Sequence, residues 1–135
     1  MMQVMKHRWT GLLCAMTLAT APCMAVMIAQ NGAAPCPIYA PQKHADAANH
    51  LADYLGRISG AKFNVAISDA PPAGRAIRIG YGDIAAARDL PGDGFALRMT
   101  ADQLSIDGPT PRAVTFGVFA LLEDQLGCRW WSRNE

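Results

Sequence analysis

Charged and aromatic side chains are both scarce in this 135-residue chain, at 17% and 7% of residues. The basic residues gather into no stripe or run, so the electrostatic footprint of a nucleic-acid-binding protein is missing. The four cysteines form no CxxC pair, which removes the usual sequence signature of a thiol-redox or zinc site. No apolar run reaches the about 20 residues that a membrane helix needs. Internal repeats are missing, and low complexity is limited to the alanine-rich stretch that begins at Ala45.

What is present begins with a leader-like segment. Lys6, His7 and Arg8 form a basic start, Trp9 to Ala21 an apolar stretch, and Cys23-Met24-Ala25 offers small residues at −3 and −1 of a cleavage point after Ala25. Residues 1–25 are therefore expected to be a secretory signal, with the mature domain at 26–135 and a periplasmic or extracellular location. Losing Lys6 and Arg8 leaves 10 basic against 11 acidic residues, a net charge of −1. About 110 residues make one domain with a modest core. Cys36 and Cys128 remain after cleavage; two separate thiols, with Cys128 buried as a small hydrophobe, are expected rather than a bridge.

The stretch from Ser105 to Trp131 organises the chain. Asp107-Gly108-Pro109 is turn chemistry, Thr110 an N-cap and Pro111 a first helical residue. Val114, Val118, Leu121 and Leu122 recur at helical spacing, and Gly127 supplies a left-handed stop. An earlier helix runs between Pro41 and Gly60, with Ala48, Leu51, Ala52, Leu55 and Ile58 on one face. Val26 to Ala29 reads as a first strand. Alternation around Phe63–Ile67, Ile77–Tyr81, Phe95–Met99 and Leu104–Ile106 gives four more, the last two close enough for a hairpin, and Asp83 to Leu90 allows a helical turn. The pattern predicts an α/β (α+β) two-layer sandwich: a mixed, mostly antiparallel sheet with two long helices on one face. Small-residue stripes, Ala45/Ala48/Ala52 and Ala113/Gly117/Ala120, predict a helix–helix contact along them.

Candidate chemistry is thin. His44 and His50 are six apart, the wrong spacing for shared metal ligation from a helix, and are expected on the surface. Glu123 and Asp124 are neighbours on a helix and point about 100° apart, so they cannot flank one bond. Gly80-Tyr81-Gly82 after a strand is half of a phosphate-binding turn, without a third glycine or a clear following helix. No catalytic residue, metal site or cofactor site is assigned. The candidate contact residues are Arg112 at the start of the second helix and Arg129, Trp130 and Trp131 beyond its end. An interface with another domain, core filling or stacking on a sugar ring are the roles open to them.

Three segments carry a resemblance: Gly94-Phe-Ala-Leu-Arg98, Leu104-Ser-Ile-Asp-Gly108, and Pro111 through Gly127-Cys-Arg-Trp130. Together with Ala47–Leu55 and Ile58–Ala61 they resemble the N-terminal accessory domain of bacterial β-N-acetylhexosaminidases and α-glucuronidases. The resemblance covers about residue 40 to the C-terminus. It implies a non-catalytic domain of a secreted glycoside hydrolase, since the family's catalytic acids lie on a (β/α)8 barrel of about 250 residues that would follow. The expectation is a truncated or free-standing accessory domain. Its partner would be a catalytic barrel, on the same or another chain, or an oligosaccharide, with neither nucleic acid nor membrane. The sheet face without helices, with Trp130 or Trp131, would meet that barrel and should be an exposed apolar patch when alone.

Overall fold

The computed structural model describes residues 26–128. Residues 1–25, expected to be a secretory signal, and the candidates Arg129, Trp130 and Trp131 fall outside those residues. The described chain is an α/β domain with a mixed five-stranded sheet, order β2-β1-β3-β5-β4, and two helices on one of its faces. The strands are β1 (Ile38–Ala40), β2 (Val65–Ile67), β3 (Ala76–Ile79), β4 (Ala96–Met99) and β5 (Gln103–Asp107). The helices are α1 (Ala45–Ser59) and α2 (Pro111–Ala120).

Local chemistry sets the helix ends as expected. A 3-10 turn at Gln42–His44 leads from Pro41 into α1, which stops at Gly60 with φ 72° and its N–H donated to Gly56 O at 2.8 Å. Thr110 caps α2, its hydroxyl accepting from Ala113 N at 3.1 Å, and Pro111 takes the first position. The last turn of α2 loosens into a π-type turn at Leu121–Gln125.

The core follows from the strand register. Ile38 pairs with Ile77 and Ile77 with Leu104, while Ile79 pairs with Ile106. These side chains share one face of the sheet and are fully buried under Leu51, Leu55, Val114 and Val118. Full burial of each such side chain contributes about 1.5–3 kcal/mol. The helices also touch each other, with the His50 and Phe119 rings 6.0 Å apart.

Five expectations need correction. The sheet is mostly parallel, not mostly antiparallel: β1–β2, β1–β3 and β3–β5 are parallel, and only the β4–β5 hairpin is antiparallel. Alternation reports which face is buried but carries no information on strand direction. The first strand is Ile38–Ala40 rather than Val26–Ala29, because Ile38 and Tyr39 find ladder partners on both sides. Val26 is buried nonetheless, and Ile58 is exposed. Cys36 and Cys128 are separate thiols, but Cys36 is the fully buried one and donates to Met27 O at 3.3 Å. Burial pushes the Cys36 thiol up, with the Arg75 cation opposing. Gly117 faces the sheet, not α1: a Cβ there would come within 2.7 Å of Ile106 Cγ2 and 3.4 Å of Phe95. The fifth correction concerns the far face of the sheet.

That face is closed by the chain's own connectors. Parallel β2 and β3 flank β1, so the chain must return along the strands between them. The helix side is occupied by α1, and residues 68–75 make the return over the opposite face. Eight extended residues reach about 26–29 Å, ample for strands this short. Ala76 and Ser105, which point to that side, are consequently almost fully buried. The exposed large apolar side chains among the described residues lie elsewhere: Leu97 and Met99 on β4, Ile67 on β2, Phe116 on α2, and Met27, Ile58 and Leu126 together beside the end of α1.

The Gly117 contact makes a definite prediction. Gly117→Ala improves intrinsic helix propensity by about 1 kcal/mol, yet forces Ile106 to move, a cost of about 1–3 kcal/mol. The variant should unfold at lower urea concentration than the parent. An equal or higher midpoint would show that α2 can lift from β5 freely.

Candidate functional site

Two places in the fold concentrate polar groups. One is the far face of the sheet, where Arg78 of β3 joins both connectors. Its guanidinium pairs with Asp83 at 2.7 Å, and both side chains are mostly buried, at 13% and 17% exposure. It makes long contacts to Gln103 Oε1 at 3.4 Å and Pro72 O at 3.5 Å, and stands 5.6 Å over the Tyr81 ring. Asp83 also accepts from Ser105 Oγ at 3.4 Å. Tyr81 donates its hydroxyl to Ser68 O at 2.6 Å, and Gln103 Nε2 donates to Gly74 O at 2.9 Å. Burial pushes the Tyr81 phenol up, and the Arg78 cation pulls the other way. This cluster is a clasp: its contacts hold the connectors to β3 and β5 and, through Tyr81 and Ser68, to each other.

The other place lies outside the carboxyl ends of β1, β3 and β5, which point the same way because the three are parallel. Lys43 and His44 follow β1, Gly80-Tyr81-Gly82 follows β3, and Gly108 to Pro111 follows β5. With Arg88 they line a crevice of about 220 Å³. Gly80 and Gly82 both have positive φ, 73° and 74°. A Cβ on Gly80 would land inside the His44 ring, so glycine is required there on steric as well as backbone grounds. Gly80 N donates to Ile106 O at 2.8 Å, extending the β3–β5 ladder. The buried Asp107 carboxylate fixes the turn, accepting from Gly82 N at 2.9 Å and Ile84 N at 2.8 Å.

His44 is the unexpected member. Instead of lying on the surface it is 4% exposed, and its Nδ1 is buried with no hydrogen-bond partner. Burial pushes its pKa down, as does the Lys43 cation, while the Asp107 carboxylate opposes them. His50 does lie outside, against Phe119. Helical spacing does separate the two, since position 44 continues the buried stripe of Ala47, Ala48, Leu51 and Leu55 and position 50 does not; the contact with Gly80 is what spacing could not reveal. The three-glycine fingerprint is replaced by a two-glycine turn and a short 3-10 segment, Ala85–Asp89.

Arg112 is not part of either cluster. It sits exposed on the first turn of α2, 3.3 Å from Asp93 Oδ2 and 5.2 Å over the Phe116 ring. Glu123 and Asp124 lie beside Phe116, Phe119 and Ala120. Among the described residues no group of three His, Cys, Asp or Glu side chains could hold a metal ion. No described helix is long and apolar enough to cross a membrane. Compared with known protein families and with curated proteins, the chain matches none.

Two outcomes are expected. Arg78→Ala leaves the largely buried Asp83 carboxylate without its cation and should cost about 3–5 kcal/mol, with Arg78→Met/Asp83→Asn costing less than the single change. Equal losses in urea unfolding would mean that the pair is not coupled. The second concerns pH. The folded state holds the His44 proton less tightly than the unfolded chain, whose value is 6.5. Stability from neutral His44 is thus complete above that pH and lost as pH falls through the lower folded value. Unfolding free energy should fall as pH drops below about 6.5, and His44→Gln should flatten that fall; parallel curves for the two proteins would contradict it.

Proposed function

We propose that this chain is the non-catalytic accessory α/β domain of a secreted glycoside hydrolase, seated against a catalytic (β/α)8 barrel and inactive without it. The observation that carries the reading is the edge of the sheet at β4, which no other strand among the described residues covers. Leu97 and Met99 alternate along this strand on the helix side, yet are 37% and 43% exposed. A free edge strand with exposed apolar side chains is a hazard that monomeric proteins ordinarily blunt with charge or cover. Arg98 is the one charged residue of the strand. A partner domain laid along β4 would bury these side chains and satisfy the outer edge of the strand. The resemblance in 94–98, 104–108 and 111–130 supplies the kind of partner.

This reading moves the interface from the place first expected for it. The far face, closed by the Arg78 clasp, is polar and already covered, so it is a poor seat for a hydrophobic partner. The β4 edge replaces it.

Sedimentation velocity on the purified chain tests the proposal. The chain alone should associate as concentration rises, and Leu97→Lys/Met99→Lys should keep it monomeric. A separately produced barrel domain of a β-N-acetylhexosaminidase or α-glucuronidase should bind the parent and not the double variant. A chain that stays monomeric at all concentrations and ignores both barrels would overturn the reading. In parallel, xylo-, chito- and glucurono-oligosaccharides should leave tryptophan fluorescence unchanged. A saturable change with one sugar class would instead make the chain a small carbohydrate-binding module.

A further inference from the structure

The crevice outside β1, β3 and β5 has no part in the accessory-domain reading and stands independently of it. Its position follows from how the strands are connected. After β1 the chain leaves through α1 toward β2 on one side; after β3 it leaves toward β4 and β5 on the other. Adjacent parallel strands whose connections diverge leave a gap between them at their carboxyl ends, which is where open α/β sheets bind ligands.

The lining selects the ligand. Lys43 and Arg88 are cations, and the N-terminus of the ten-residue α2 adds partial positive charge through its backbone dipoles. The neighbouring acid, Asp107, has one oxygen taken by Gly82 N and the other by Ile84 N. Arg88 donates to Gly82 O at 3.0 Å, which holds its guanidinium beside the turn. Gly82 holds that carbonyl in a left-handed backbone conformation, φ 74°, which favours glycine. His44 lines the same crevice, is almost wholly buried, and carries a buried Nδ1 that nothing in the fold pairs. Leaving such a group unpaired costs about 1–3 kcal/mol, a cost that a ligand oxygen would remove. A crevice of about 220 Å³ is below the about 300 Å³ at which pockets for drug-sized molecules begin. It suits one functional group rather than a sugar chain.

We propose that this crevice binds the oxyanion group, phosphate or carboxylate, of a small ligand, with Lys43 and Arg88 supplying charge and His44 a ring N–H. Gly80 lets the His44 ring close on the turn, and Gly82 supplies its second left-handed residue.

The test is an NMR titration of the isotope-labelled full chain with inorganic phosphate, and separately with acetate, at constant ionic strength. Saturable shifts should appear at the amides of Gly80, Gly82 and Thr110 and in the His44 ring, with at least one of the two anions. Which anion saturates identifies the group. Lys43→Gln, an exposed position that should not disturb folding, should weaken binding by about tenfold. Lys62→Gln, outside the crevice lining, should leave affinity unchanged. No saturation with either anion, or equal affinity in Lys43→Gln, would overturn the proposal. So would saturable shifts at these residues with a neutral oligosaccharide and none with the anions.

Discussion

The parallel pairing of β3 with both β1 and β5 is the constraint from which the remaining architecture follows. Ile77 is held by Ile38 on one side and Leu104 on the other, so three strands of the sheet run the same way. Parallel neighbours cannot be joined by a tight turn. One return is made by α1 on the helix side, and the other by residues 68–75 across the opposite face. The same pairing sends three strand ends to one edge, where their following loops converge. The clasp on the far face and the crevice at the end of the sheet are thus two consequences of one topological choice.

The clasp shows how a short sheet deals with a crossover that has no helix. Residues 68–75 have little apolar surface to bury, so polar contacts to Arg78, Tyr81 and Gln103 hold them down. A guanidinium suits this position because its fork reaches several acceptors at once while its plane stands over a phenol ring. The geometry is not without cost, as Arg78 Nε is buried with no partner. With the far face used in this way, Leu97 and Met99 at the β4 edge are among the large apolar side chains that remain exposed.

The crevice and the β4 edge differ in what they ask of a partner. Leu97 and Met99 offer a strip with little charge, suited to a large flat surface. The crevice is small and polar, and its two cations are set against one acid whose oxygens are both occupied. Surfaces so unlike can serve one protein at once, the first in assembly and the second in recognition of a small ligand.

Several elements were legible in the residues alone, each for a local reason. Thr110 and Pro111 start α2, Gly60 stops α1, and Val114, Val118 and Leu51 face the core because caps, positive φ and helical period act within a few residues. The alternation in β3 and β5 likewise named the buried isoleucines and Leu104. What local chemistry could not express was decided by the tertiary structure. Strand direction, the role of Ile38–Ala40 as strand β1 between β2 and β3, and the turn of Gly117 toward Ile106 all depend on partners far along the chain. His44 is the clearest case: in sequence it is one histidine near a helix start. Only the meeting of three parallel strand ends buries its ring against Gly80, because a close approach between residues 36 positions apart is settled by packing and carries no local signature.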